Sequence, residues 1–89
     1  MNSKHKRTLA AIFEEPARAN IDWKDIENLL SALGADLTEG RGSRLRVALN
    51  NVRASFHRPH PRKEAGRLMV RSVRRFLMEA GVEPIGDEK

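Results

Sequence analysis

The chain has 89 residues and no cysteine, which excludes disulfides and Cys-based metal sites. No apolar run approaches the length of a membrane span, and no signal-type hydrophobic segment follows the start. A soluble cytoplasmic protein that does not engage a membrane is therefore expected. Internal repeats and low-complexity tracts are absent as well. Aromatic residues are scarce, and Trp23 and Phe56 fall where a core needs them, so they read as core residues rather than base-stacking platforms. What the chain does have is positive charge: 17 Lys and Arg against 12 Asp and Glu, a formal net charge of +5. Such a balance favours an anionic partner. Nucleic acid is the first candidate, because clustered Lys and Arg gain affinity by displacing counterions from phosphates. An acidic protein is the second.

A chain of this length makes one domain, 1–89, with a marginal core that buries roughly 60–65 % of the unfolded surface. Thr8 to Glu15 carries Leu9, Ile12 and Phe13 at helical spacing and stops before Pro16, which predicts a short extra helix. The Lys4-His5-Lys6-Arg7 run ahead of it reads as a solvated tail, with a phosphate-binding arm as the alternative. Asp22 is an N-cap for the next helix, Asp25 stands at the capping-box position, and Ile21 and Ile26 form a hydrophobic staple. Ile26, Leu29, Leu30 and Leu33 make its apolar stripe, and Gly34 closes it. A first strand over Ala35 to Glu39 places Leu37 on the core face if the loop through Arg41-Gly42-Ser43 has odd length. The last helix runs from about Arg67 to Ala80. Val70, Val73, Phe76, Leu77 and Ala80 face inward, and Arg67, Arg71, Arg74, Arg75, Leu68 and Met78 face outward. The core is expected over about 21–82, with an N-terminal extension over 1–20 and a flexible tail over 83–89.

The segment Arg44 to His57 carries the chemistry. Leu45, Val47 and Leu49 alternate with Arg44, Arg46 and Ala48, and Val52, Ala54 and Phe56 alternate with Arg53, Ser55 and His57. Between them Asn50-Asn51 tolerates the positive φ angles of a two-residue hairpin loop. That register sends the aliphatic groups to one face and sets Arg44 across from His57 on the other, close enough for the pair to act together. The two prolines of Arg58-Pro59-His60-Pro61-Arg62-Lys63 remove ladder donors, so an exposed basic loop follows. The order helix, helix, three antiparallel strands, helix predicts an α+β fold with the sheet's apolar face covered by helices.

RNA carries its own nucleophile in the 2′-hydroxyl, so cleavage needs only proton transfer and charge stabilisation. His57 can move a proton, Arg44 and Arg46 can stabilise the phosphorane, and His60 can assist. Arg41, Ser43, Arg44, Arg46, Arg53, Arg58, Arg62 and Lys63 read as one continuous RNA-binding surface with no acid in it. No metal and no cofactor is expected, since His57 and His60 alone are too few ligands. An RNA-binding sheet without catalysis remains the alternative.

The run from Trp23 to Val82 resembles the HicA family of toxins from bacterial toxin–antitoxin systems. The resemblance is carried by Leu29-Leu30-Ser31-Ala32-Leu33-Gly34, Gly40-Arg41-Gly42-Ser43, Phe56-His57-Arg58-Pro59-His60 and the helix from Arg71 to Val82. It implies a double-stranded-RNA-binding-like fold, ribosome-independent cleavage of mRNA, and a cognate HicB-like antitoxin. The family's catalytic histidine usually follows the Gly-Ser of the turn, where this chain reads Gly42-Ser43-Arg44. Either the histidine function has moved across the ladder to His57, or this chain has kept binding to RNA or antitoxin and lost cleavage.

Overall fold

A computed structural model describes residues 2–84. The predicted frayed tail Gly86-Asp87-Glu88-Lys89 lies outside the described residues. In chain order the elements are α1 (Ser3–Ile12), β1 (Ile21–Asp22), α2 (Trp23–Ala32), β2 (Asp36–Glu39), β3 (Arg44–Leu49), β4 (Val52–His57), β5 (Glu64–Ala65) and α3 (Arg67–Glu79). The fold is α+β, with β2-β3-β4 forming a three-stranded antiparallel sheet in that order. None of the described helices is long and apolar enough to cross a membrane.

The hairpin has the predicted register at all its pairs, from Leu49 opposite Val52 to Arg44 opposite His57. Asn50 and Asn51 have φ of 51° and 69°, as a two-residue turn matched to strand twist requires. Asn50 does more than turn: its amide donates to the Ala80 carbonyl at 2.7 Å and ties the hairpin to the end of α3. The β2–β3 turn has the odd length expected, so Leu37 pairs with Val47 on the core side.

Leu45, Val47 and Phe56 are buried beneath the sheet against Ile26, Leu29 and Leu30 of α2 and Val70, Val73, Phe76 and Leu77 of α3. Phe56 joins the two helices through edge-to-face contacts, 6.1 Å from Trp23 and 5.9 Å from Phe76. The Asp22 side chain caps α2 by accepting from the Lys24 N–H at 2.9 Å. Asp25 does not close a capping box; it pairs with Lys4 at 3.3 Å instead.

Three expectations are corrected. The first helix spans Ser3–Ile12 rather than Thr8–Glu15, because Asn2 accepts from the His5 N–H at 2.8 Å and starts the helix upstream. The Lys4-His5-Lys6-Arg7 run is therefore helical surface, not tail. Ile21–Asp22 and Glu64–Ala65 form a second, two-stranded sheet, too short for any periodicity to announce it. Finally, Arg74 does not belong to the outward face of α3, and Arg67, though exposed as expected, is tied to the backbone. Arg67 donates to the Ala17 carbonyl at 3.0 Å, and Arg74 donates to the carbonyls of Ile12 at 2.9 Å and Glu14 at 2.6 Å. Arg74 also pairs with Glu15. These carbonyls lie at and beyond the C-terminus of α1, where backbone acceptors lack helical partners, and α3 supplies the donors.

Candidate functional site

The solvent face of the sheet is a grid three residues wide. One row reads Asp36, Ala48, Arg53; the next reads Thr38, Arg46, Ser55; the third sets Arg44 opposite His57. Rows on a strand repeat about every 7 Å, and neighbours within a row have Cβ atoms about 5 Å apart. Arg44, Arg46, Arg53, Ser55 and His57 are all exposed, and the buried partners Leu45, Val47 and Phe56 fix which way they point. Among the described residues no carboxylate pairs with Arg44, Arg46 or Arg53.

The third row lies where the turn and the strand exit meet. The Arg44 N–H donates to the Arg41 carbonyl at 3.1 Å, Gly42 takes a φ of +61°, and the Arg58 N–H donates to the Ser43 carbonyl at 2.9 Å. Arg41, Ser43, Arg44 and His57 are thereby gathered at one end of the sheet. Gly40 contributes by what it lacks: a Cβ there would stand 3.2 Å from Arg44 Cβ and 3.3 Å from Cγ. The stem of Arg44 occupies the place a side chain would take, a role visible only once the strands are paired.

His57 also borders a groove between β4 and α3, about 310 Å³ in volume, to which Ser72 and Arg75 contribute. The outer face of α3 is where helical spacing puts Arg75, and nothing in the sequence signals that this face turns toward the end of β4. His60 is exposed in the loop beyond the strand and lines neither this groove nor the sheet-face groove.

The expectation of one continuous cationic surface without acid is corrected. Arg58 follows His57 and so projects to the helix side of the sheet. There it sits between Glu27 of α2, at 2.6 Å, and Glu39 of β2, at 2.7 Å. Trp23 Nε1 donates to the same Glu27 carboxylate, so strand end, helix and edge strand are latched together. Arg62 and Lys63 line the cleft of about 830 Å³ around this latch, away from Arg46 and Arg53. Asp36 stands on the sheet face itself.

Hydrogen bonding from Arg58 holds the exposed Glu39 carboxyl below its usual range, and the two carboxylates raise the Arg58 guanidinium further still. A lowered carboxyl pKa stabilises the fold fully above the unfolded-state value, and that contribution is lost as pH falls through the folded-state value. The melting difference between wild type and Glu39→Gln is therefore expected to be greatest near neutral pH and to shrink in acid. A difference that grows in acid would show that the pair does not stabilise the fold.

Fold and face together define a small basic α+β domain that presents an open, unpaired arginine–histidine surface on its sheet. The sequence family described as the HicA toxin of bacterial toxin–antitoxin matches residues 23–82. The chain belongs to this family and is a toxin of a toxin–antitoxin system, with an antitoxin as its partner. No curated protein and no solved structure matches it. The match begins at the first residue of α2, so α1 and β1 precede the family segment while packing into its core.

Proposed function

We propose that this toxin is a metal-independent endoribonuclease that cleaves mRNA in the cytoplasm and so inhibits translation, and that a HicB-like antitoxin neutralises it. The observation that carries the reading is the pairing of His57 with Arg44 on an open face whose neighbouring row holds Arg46 and Ser55. The α2-β2-β3-β4-α3 order is read as double-stranded-RNA-binding-like and supports it.

In this mechanism the ribose 2′-oxygen attacks the adjacent phosphorus while a base removes its proton. The P–O5′ bond then breaks as the leaving oxygen takes up a proton, giving a 2′,3′-cyclic phosphate and a 5′-hydroxyl. His57 performs one of these transfers, and His60 or water assists with the other. Arg44 and Arg46 stabilise the charge that gathers on the phosphorane oxygens. Arg41 and Ser43 hold flanking phosphates, Arg53 contacts the RNA at the other end of the sheet face, and Arg62 and Lys63 lie further along the strand. Arg58 keeps the end of β4 in place through its two carboxylates.

A second reading, RNA binding without cleavage, is favoured by Arg44 itself, which stands after Gly42-Ser43 where the family usually carries its histidine. Incubating the purified protein with a mixed transcript in EDTA separates the two. New 5′-hydroxyl ends support the nuclease. A gel shift that weakens steeply with salt, without new ends, supports the binder.

A further inference from the structure

One residue on the sheet face is not accounted for by phosphate binding. Asp36 is exposed at the start of β2, and among the described residues no Lys or Arg pairs with it. A carboxylate standing alone on a phosphate-binding face works against it. Its neighbour across the ladder is Ala48, and across from Ala48 stands Arg53. The small central side chain leaves an open groove of about 620 Å³ with Asp36 and Thr38 on one wall and Arg53 and Ser55 on the other. That volume falls within the usual span of small-ligand sites. The outer strands are about 9–10 Å apart, two strand spacings, which is room for one planar base over the Ala48 methyl.

We infer that this groove reads a nucleobase and that the base it selects is guanine, an inference that rests on the RNA reading above. Guanine offers two adjacent N–H donors, N1 and N2, which a carboxylate accepts side by side. Its O6 and N7 acceptors lie on the adjoining edge, within reach of Arg53, and arginine to these two atoms is the commonest specific base contact. Uracil offers only the single N3–H donor, flanked on both sides by carbonyl oxygens that face the carboxylate acceptor against acceptor. No aromatic side chain stands on this face, so discrimination comes from base edges rather than from stacking. Ala48 lies two rows from Arg44, roughly 14 Å along the strand. The base read is therefore displaced from the bond that is cut.

The test uses wild-type protein and short 2′-O-methyl oligonucleotides, which lack the nucleophile and stay whole. One is oligouridine; the other carries a single central guanosine; binding is followed by fluorescence anisotropy at low salt. Guanosine is expected to tighten binding about tenfold. Asp36→Asn is expected to bring that ratio close to one while oligouridine binds as well as before or better. Equal binding of both oligonucleotides to wild type overturns the guanine reading and leaves RNA binding standing. A ratio unchanged in Asp36→Asn also overturns it, because Asp36 would then only repel phosphate. Failure of both to bind overturns the RNA reading and this one with it.

Discussion

Replacing His57 with alanine is expected to lower RNA cleavage by about 10²–10⁴-fold and to abolish growth arrest, with the fold intact. The size follows from the usual worth of a positioned proton-transfer group, and the intact fold follows from exposure. His57 lies on the solvent side of β4, makes none of the buried contacts, and ends a ladder whose register is set by the Asn50-Asn51 turn and the residues beneath. Surface substitutions of this kind change stability within about 0.5 kcal/mol. Arg44→Ala should also impair cleavage, through charge stabilisation rather than proton transfer, so Arg44→Lys should restore part of it and no lysine should rescue His57. Initial rates on a defined transcript, beside circular dichroism of each variant, check both statements. Undiminished cleavage by His57→Ala would remove this residue from the mechanism and return the catalytic role to the turn, where Arg44 stands.

The hairpin was readable because three local rules agree on it. Alternating aliphatic and polar residues set the faces, two asparagines set the turn, and together they determine which side chains meet. The apolar stripes of α2 and α3 were equally plain, since Ile26, Leu29, Leu30, Val70, Val73, Phe76 and Leu77 recur at helical spacing and are all buried. Long-range polar pairing left no such trace. Nothing near Arg58 in the sequence says that Glu27, 31 residues away, and Glu39, 19 residues away, will take its guanidinium. For the same reason Arg74 looked like one more surface charge on α3. A charge counted from composition becomes available to a partner only if the fold leaves it unpaired. Here the sheet face keeps Arg44, Arg46 and Arg53, while Arg58 and Arg74 are spent on the protein itself. Asp36 shows the converse: it belonged to a strand whose pairing was expected, yet its place on the cationic face emerged only when β2 was set against β3.

Arg74→Ala is expected to destabilise the protein by about 1–3 kcal/mol, because its guanidinium is the donor to the Ile12 backbone carbonyl. Its side chain is only 15 % exposed, and Ile12, whose carbonyl it meets, is fully buried. Removing the donor leaves that carbonyl unsatisfied in the interior and frees the segment that connects α1 to β1. Leu9 and Ile12 are held in the core only by the docking of this extension. For a domain of this size the loss corresponds to a fall in Tm of roughly 4–24 °C. Arg74→Lys should recover little, since an ammonium on a flexible stem lacks the planar fork that reaches the Ile12 and Glu14 carbonyls and the Glu15 carboxylate together. Arg71→Ala, one turn away and exposed, is the matched control and should melt like wild type. Thermal melts of the three variants, with limited proteolysis to see whether cleavage begins between α1 and β1, make the comparison. If Arg74→Ala melts within two or three degrees of Arg71→Ala, the extension is held by its apolar face alone. The hydrogen bonds from α3 would then add nothing.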